Sequence, residues 1–459
     1  MLQPINRLPP EIISRIPQYI LRPTDRDAGP IIPLTHICRY WRESIISTPE
    51  NWTSIYLFRP SLAALSLERS KAAPLQLWLS MDVIKKNPGF HDLIMPYIHN
   101  TKILQFDRLT TVEDFIHTFP DFPQSMPNLQ SLELIRLHSI PEWDLSIDPF
   151  GSFPSTLRSL SLDGIPLYPS FLKLRTLTEL TLHSLKPLPP LDTLLDFLEE
   201  NHSLESVSLT TPFEDVPAHF LQRRAMNMVQ LQSLLIFVWN VTVARILISS
   251  IPLRRGAHLG IGVFRKNVAF PSNDILSLIS TTHLSNPPLP TFMDYRSSRM
   301  IRLTGPNGSF TCNYFPYFPP GVSFAEFPVL PLANIRELRL EHSGSSTVFP
   351  PSSFPALETL TIQHGTSPSH LFSALFQNPS LLPSLRTLGF LDCNVTQEFM
   401  GKLSQLASYR KNTTPARLHR VLFVQEFGNF PSAASIRALR SNVTIVDLRV
   451  DDKLPTDLT

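Results

Sequence analysis

Two side chains of this sequence could form a general acid–base pair, because Glu179 and His183 lie four positions apart. A carboxylate beside a histidine orients the imidazole and favours its charged form. Catalysis also needs a positioned nucleophile or substrate proton, and the sequence supplies neither beside this pair. The motifs H-E-x-x-H, G-x-S-x-G and C-x-x-C do not occur. We therefore predict that the chain is not an enzyme and has no catalytic residues.

The positions of the cysteines and glycines indicate whether the chain could bind a metal ion or a cofactor. Cys38, Cys312 and Cys393 are too far apart to predict a metal-binding pair or a disulfide framework. Neither G-x-x-x-x-G-K nor G-x-G-x-x-G occurs, so no phosphate-cradling loop is expected. We predict no metal and no cofactor. The unpaired cysteines and the lack of an apolar signal-peptide core predict the cytoplasm, the nucleus or both.

Charge and hydropathy indicate which classes of partner the chain could bind. The chain has 40 Lys and Arg against 38 Asp and Glu, a net charge of +2. A nucleic-acid binder concentrates basic residues on one face, and the basic pairs here are isolated. The most apolar stretch, 231–253, contains Gln, Asn, Arg and Pro, whereas a membrane helix needs about 20 mostly apolar residues. We predict neither nucleic acid nor membrane as a partner, and expect a strand, a turn and a buried helix in this stretch.

The candidate residues are positioned by a repeated strand pattern, apolar-x-x-apolar-x-apolar. Alternating leucines place one face of a short strand in a core, and one strand cannot bury that face alone. Within two blocks the pattern recurs at steps of 20 to 28 residues, similar to leucine-rich repeats, whose period is about 20–29. We predict an α/β fold in which residues 58–450 form an irregular leucine-rich-repeat solenoid, with parallel strands on the concave face and helices and loops on the convex face. The repeats begin at Leu129, Leu157, Leu177, Leu204, Leu231, Ile335, Leu357 and Leu385.

Two features depart from a regular repeat. The Asn or Cys usual three positions after the last strand leucine is nearly always missing, and Cys393 is the one good match. The Pro-rich segment 284–331 also breaks the rhythm. Asn307-Gly308 within it is a turn signal that predicts a hairpin insert near residues 300–315, with strands on either side rejoining the sheet. Residues 451–459 are expected to form a flexible tail.

Residues 1–57 have a helical pattern. Leu8-Pro9-Pro10-Glu11 is typical of a helix start, because proline suits the first turn and an acid suits the positive end of the dipole. Pro17 is expected to stop or kink this helix near Ile16. A second helix is predicted after Pro33, with an apolar stripe. The stripe residues are Leu34, Ile37, Cys38, Trp41 and Ile45.

Thr48-Pro49-Glu50-Asn51 predicts a third, short helix capped by Thr48 and carrying Trp52. The order Leu-Pro-Pro-Glu-Ile, then Leu-x-x-Ile-Cys-x-x-Trp-Arg, then Pro-x-x-Trp-x-x-Ile resembles the F-box, especially the F-box-like domains of fungal proteins. The resemblance covers residues 5–57 and implies a three-helix F-box-like domain at 1–57. It further implies docking on a Skp-type adaptor, which bridges to a cullin–RING ligase; a small helical cap whose stripe is only its own core is the alternative. The expected adaptor-binding residues are Leu8, Pro9, Ile12, Ile16, Leu34, Cys38, Trp41 and Trp52.

Residues that alternate with the core leucines are expected to face the concave side and bind a target. They are polar, mildly acidic and different in each repeat, which suits one protein or peptide partner. The sequence therefore predicts a substrate receptor of an SCF-type cullin–RING ubiquitin ligase. The alternatives are a leucine-rich-repeat scaffold without ligase coupling, motivated by Pro17, and an enzyme with a cleft beside the hairpin. The expected target-binding residues are Glu133, Ser161, Asp163, Glu179, His183, Ser208, Glu337, Arg339 and Glu341.

Overall fold

A computed structural model shows two compact units, Met1–Pro212 (unit 1) and Phe213–Thr459 (unit 2). The division falls inside the stretch predicted as one solenoid. The predicted tail, 451–459, lies outside the described residues. The structure describes residues 8–20, 29–57, 59–87, 89–122, 124–137, 148, 150–211, 226, 228–238, 241–251, 253–254, 256–264, 292–296, 300–305, 308–315, 332–341, 351–365, 369–413, 417–425 and 431–450.

Unit 1 contains parallel strands that pair in chain order. Their leucines alternate as predicted: Leu160 and Leu162 are at most 1% exposed, and Leu180 and Leu182 repeat the pattern on the next strand. Since parallel neighbours need a crossover connection, each strand is followed by a helix or a loop that returns the chain. The strands are β1 (Ser54–Tyr56), β2 (Leu75–Ser80), β3 (Thr101–Leu109), β4 (Ser131–Arg136), β5 (Ser159–Asp163), β6 (Glu179–His183) and β7 (Ser206–Thr211).

The helices of unit 1 cover the core side of these strands. The helix over Leu191–Glu200 follows β6 and buries Leu194, Leu195 and Leu198. Turns of 3-10 helix occur at Gly29–His36, Pro49–Trp52 and Met95–Asn100. The helices are α1 (Pro10–Ile20), α2 (Arg39–Ile46), α3 (Pro60–Ser70), α4 (Met81–Lys86), α5 (Gly89–Ile94), α6 (Val112–Thr118), α7 (Pro169–Leu172) and α8 (Leu191–Glu200).

Phenylalanine rings connect the middle repeats of unit 1. Phe106 on β3 lies 5.6 Å from Phe115 on α6, measured between ring centroids. Phe115 lies 5.4 Å from Phe150, which lies 4.7 Å from Phe171 on α7. Such offset and edge contacts stabilise beyond the area they bury. Aromatic packing, rather than a repeated asparagine, therefore ties these repeats together.

Unit 2 contains a sheet in which the predicted hairpin is incorporated. The spatial order is β8-β9-β12-β11-β10-β13, continuing to β17. Of the described pairings in this unit, those of β11 are antiparallel, whereas β12 runs parallel to β9 and β10 parallel to β13. The insert is thus part of the sheet itself. The strands are β8 (Ser233–Val238), β9 (His258–Phe264), β10 (Phe292–Arg296), β11 (Met300–Gly305), β12 (Gly308–Phe315), β13 (Glu337–Glu341), β14 (Thr359–Gly365), β15 (Thr387–Cys393), β16 (Arg420–Gln425) and β17 (Ile445–Val450).

Unit 2 contains four described helices, and the first of them lies in its most apolar stretch. The stretch 231–253 forms β8 and a following helix, as predicted. Short 3-10 turns lie at Leu332–Asn334 and Pro351–Ser353. Across the part of the chain that the structure describes, no helix is both long and apolar enough to cross a membrane. The helices are α9 (Val241–Ser250), α10 (Ser369–Gln377), α11 (Gln397–Thr413) and α12 (Ala433–Arg440).

Two glycines on β9 make room for side chains of β8. A Cβ atom added at Gly260 would lie 2.3 Å from Leu235, and one at Gly262 would lie 2.1 Å from the ring of Phe237. Both distances are shorter than atoms can approach. Leu235 and Phe237 therefore lie across the glycines, and a larger residue in either place would force them to move.

A buried arginine joins consecutive repeats of unit 2. Arg410 on α11 is 1% exposed. Its guanidinium donates hydrogen bonds to the carbonyl oxygens of Leu382 (3.1 Å) and Leu385 (3.3 Å), and to that of Leu381. Burial lowers the pKa of Arg410 to about 10. The side chain thereby fastens the helix after β15 to the turn that precedes β15.

Candidate interaction surfaces

The helical module of residues 8–57 packs around one buried core, which Leu62 and Leu65 of α3 also contact. Ile13, Ile31, Trp41, Ile45 and Trp52 are at most 2% exposed and pack together. The indole N–H of Trp52 donates to the carbonyl oxygen of Ile45 at 3.2 Å, which satisfies its polar atom inside the core. These five side chains therefore hold the helical elements of the module together.

The first helix differs from its prediction. It runs through Pro17 to Ile20, so of the stop or kink expected near Ile16 the stop is wrong. A proline within a helix removes one backbone N–H, and here only the bond toward the carbonyl of Ile13 is affected. Pro17 is itself buried. Pro17 lies four residues after Ile13, on the same buried side of the helix.

The later elements of the module also begin at unexpected residues. The second α-helix begins at Arg39, because Cys38 has extended backbone angles (φ −160°, ψ 172°). The preceding residues form the 3-10 turn Gly29–His36. The Thr48 hydroxyl donates to the carbonyl oxygen of Ser44 at 2.8 Å, so the predicted side-chain cap does not form.

The eight expected adaptor-binding residues occupy three kinds of position. Trp41 and Trp52 are 2% and 0% exposed, so they support the module from within and offer no surface in this conformation. Pro9 and Ile12 are exposed, Ile12 by 48%. The residues that pack partly against the core are Leu8, Ile16, Leu34 and Cys38.

Sequence reasoning missed three exposed apolar residues in this module: Tyr19 (86% exposed), Ile37 (49%) and Tyr40 (37%). Ile37 was assigned to the apolar stripe of one continuous helix. Because the α-helix begins only at Arg39, that periodicity does not extend back to Ile37, which turns outward. The Tyr40 hydroxyl donates to the carbonyl oxygen of Leu8 at 3.0 Å, which places Tyr40 beside the start of α1. We call Ile12, Tyr19, Ile37 and Tyr40 the exposed apolar set.

Strand register aligns the residues that face away from the core in unit 1. One row joins Tyr56 and Trp78 to Gln105 and Glu133 and continues through Ser161, Thr181 and Ser208. A second row contains Ser54, Gln76, Ile103, Ser131, Ser159, Glu179 and Ser206. A third row contains Ile135, Asp163, His183 and Thr210, with Asp107 on the far side of an irregularity in β3. We call these three rows the unit 1 strand face.

The register separates one predicted pair and creates another. Glu179 and His183 lie at opposite ends of β6, about 13 Å apart at about 3.3 Å per residue, so they cannot act as an acid–base pair. His183 lies beside Asp163 instead, and its Nε2 is 3.3 Å from the hydroxyl of Ser208. Burial lowers the pKa of His183, and the carboxylate of Asp163 partly opposes this effect.

In this arrangement, a partner could form hydrogen bonds with the side chains of Asp163, His183 and Ser208. A neutral imidazole and a hydroxyl can each donate or accept a hydrogen bond from a partner. Hydrolysis by such a set would also need donors for an oxyanion beside Ser208. This arrangement does not test for catalysis, so the statement that the chain is not an enzyme stays a prediction.

The expected target-binding residues of unit 2 lie on β13. Glu337 is partly buried, and burial raises its pKa while Arg339 opposes the rise. Arg339 is only 6% exposed, so it offers little surface to a target. In the sheet, Asp294 of the insert strand β10 is the register partner of Arg339. Glu341 pairs with Gln363 in the sheet, and its side chain lies outside the described residues.

A groove of about 470 Å³ lies between α10 and α11 on the helix side of unit 2. Phe376, Leu406 and Tyr409 contribute its apolar wall and Lys402 a polar edge. Within the described ranges, no group of three or more His, Cys, Asp or Glu side chains could hold a metal ion.

Comparisons with known proteins concern the fold. No protein-family model matches the chain, and no curated protein matches it. Among solved structures, it is similar to the leucine-rich repeat-containing protein LegL7 from Legionella pneumophila, with 15% sequence identity and a TM-score of 0.28 over 75% of this chain and 90% of that chain. The strand register itself shows a mixed α/β protein with parallel strands, as in leucine-rich-repeat solenoids.

Proposed function

We propose that this chain is a substrate receptor of an SCF-type cullin–RING ubiquitin ligase. The N-terminal module docks on a Skp-type adaptor, and the outward strand faces hold a target protein. The receptor contributes proximity and orientation and performs no bond chemistry. It needs no cofactor for this role.

One observation carries the proposal: the exposed apolar set lies on a module whose other large apolar side chains pack into one core together with Leu62 and Leu65 of α3. Eight large hydrophobic side chains are exposed among the described residues, and four of them lie between residues 12 and 40. The other four, Val229, Tyr409, Ile445 and Leu448, are spread over unit 2. Apolar residues concentrated on one small module are typical of a protein-binding surface.

The geometry of α1 supports docking through this module. Ile12 and Tyr19 are seven residues apart and lie on the same side of the helix. The helix continues through Pro17, so the residue that motivated a scaffold without ligase coupling does not shorten it. Burying the exposed half of one isoleucine contributes about 1 kcal/mol. The set of four can therefore contribute several kcal/mol to adaptor binding.

Binding of the full-length chain to a recombinant Skp-type adaptor tests the proposal. Ile12→Asp places a charge in the proposed interface and is expected to weaken binding by at least about tenfold. Ile445→Asp is the matched control, because Ile445 is 47% exposed against 48% for Ile12. Biolayer interferometry measures both variants, and circular dichroism verifies their folding.

Two results would contradict the proposal. One is that the chain fails to bind while a known F-box protein binds the same adaptor. The other is that Ile12→Asp and Ile445→Asp weaken binding equally. Either result would favour a repeat scaffold without ligase coupling.

A further inference from the structure

The core of unit 2 has an uncovered position at β17. One row of apolar core-side residues runs through β13 to β16 and reaches Leu448 of β17. Leu448 is 40% exposed, whereas its register partner Phe423 is 0% exposed. The earlier members of the row are at most 2% exposed; they are Leu340, Ile362 and Phe390. A repeat protein buries each strand against the next repeat, and within the described residues no strand follows β17.

The backbone of β17 also has hydrogen-bonding groups that point away from β16. In a parallel pair, alternate residues of a strand bond to the same neighbour, and the residues between them point to the opposite side. The N–H of Ile445 donates to the carbonyl oxygen of His419, the residue before β16, at 2.8 Å. The same alternation directs the N–H and C=O groups of Val446, Leu448 and Val450 toward the other edge. Among the described pairings, β17 pairs only with β16.

Most features that protect an edge strand from pairing are missing from β17. Natural edge strands are blunted by proline, lysine, a β-bulge or a very short length. β17 has six residues, pairs with β16 in unbroken register, and contains no Pro, Gly or Lys. In contrast, β1, which also has one partner among the described pairings, is three residues long. The edge of β17 is therefore suited to pairing with another strand.

The sequence of β17 complements a second copy of itself in one antiparallel register. With Leu448 on the two-fold axis, Leu448 lies opposite Leu448 of the second copy and Val446 lies opposite Val450. The edge N–H and C=O groups of these residues can then form about six hydrogen bonds. Asp447 lies opposite Arg449, and opposite charges across a strand pair are stabilising. A two-fold axis at Asp447 would instead place two aspartates opposite each other, which is destabilising.

We infer that two copies of this chain associate through β17 as an antiparallel, two-fold symmetric strand pair. Leu448 of each copy then covers Leu448 of the other, so each chain completes the end of its partner's core. Charge is a secondary contribution, because Asp447 already pairs with Arg420 at 2.6 Å. The paired stretch is Val446–Val450, and Ile445 lies outside it. This association is independent of the proposed receptor function.

Sedimentation velocity of the full-length chain tests the association. One strand pair is a small interface, so we expect a dissociation constant of about 10–50 µM. Concentrations about tenfold below and above this range should show a shift from monomer to dimer.

Two variants at one position test whether β17 is the interface. Leu448→Pro removes the N–H on the two-fold axis but no bond to β16, since proline is tolerated where the N–H of an edge strand faces outward. Leu448→Lys keeps the N–H and adds a charge that would face its own copy across the axis. Each variant should raise the dissociation constant by at least about tenfold.

Tyr409→Lys is the matched control, because Tyr409 is 41% exposed against 40% for Leu448 and lies on α11. This control should leave the dissociation constant unchanged, and circular dichroism verifies that each variant folds. Hydrogen exchange followed by mass spectrometry examines the parent itself. Amides of residues 446–450 should exchange more slowly above the dissociation constant than below it, because the dimer engages the N–H groups at the edge.

Four results would overturn the inference. The parent could remain monomeric at every concentration, which includes the case that another segment of the chain occupies the edge. The Leu448→Pro and Leu448→Lys proteins could associate as strongly as the parent. Tyr409→Lys could weaken association as much as they do. Finally, the exchange of residues 446–450 could be independent of concentration.

Discussion

Replacement of Arg410 by methionine tests whether a buried arginine stabilises the repeats of unit 2. The guanidinium donates to three carbonyl oxygens, those of Leu381, Leu382 and Leu385. A hydrogen bond from a charged donor contributes about 1.5–3 kcal/mol. Burial lowers the pKa of Arg410 to about 10, which corresponds to a desolvation cost of about 3 kcal/mol. The three bonds less this cost predict that Arg410→Met lowers the free energy of unfolding by about 1.5–6 kcal/mol.

Urea titration followed by circular dichroism measures this change. Arg437→Met is the matched control, because Arg437 is exposed and donates to one carbonyl oxygen, that of Ala433 at 3.3 Å. The control should change the free energy of unfolding by no more than about 0.5 kcal/mol. Buried charges can also be replaced by apolar residues without loss. An Arg410→Met protein as stable as the parent would therefore refute the reasoning.

Two further predictions concern His183 and Gly262. Because burial lowers the pKa of His183 below its usual 6.5, its contribution to stability is complete above that pH and is lost as the pH falls. The free energy of unfolding of His183→Asn should therefore fall less than that of the parent when the pH is lowered from about 7.5 to about 5. His202→Asn is the control, because His202 is exposed, and an equal effect of this control would contradict the prediction. Gly262→Ala should destabilise unit 2 by about 1–3 kcal/mol in urea titrations, because the ring of Phe237 must move. Gly401→Ala on α11, where a Cβ meets nothing within 4 Å, should be neutral or stabilising, and Phe237→Leu should partly rescue Gly262→Ala.

The parallel strands of the repeat pattern could be predicted from the sequence because their signal is local. The alternation that buries Leu160 and Leu162 also assigns Ser161 to the outward face. The return helix at Leu191–Glu200 follows from its own apolar spacing in the same way. Period-two and helical patterns need no knowledge of the rest of the chain.

The boundaries of the N-terminal elements were less predictable. A stripe from Leu34 to Ile45 suggested one helix, yet the extended backbone of Cys38 interrupts it. Ile37 therefore belongs to the exposed apolar set rather than to the core. From the sequence, Trp41 and Trp52 could lie either in the core or at an interface. In the structure they pack against Ile13 and Ile45 and therefore belong to the core.

By itself, the sequence determined the strands of the repeat pattern and which of their side chains avoid the core. Only the tertiary structure decided which of those side chains become neighbours, because register between strands depends on packing across many residues. It separated Glu179 from His183, brought Asp163 and Ser208 to His183, and placed four carboxylates of successive strands on one face. It also placed the insert strands β12 and β10 between β9 and β13, with β10 in register with the buried Arg339.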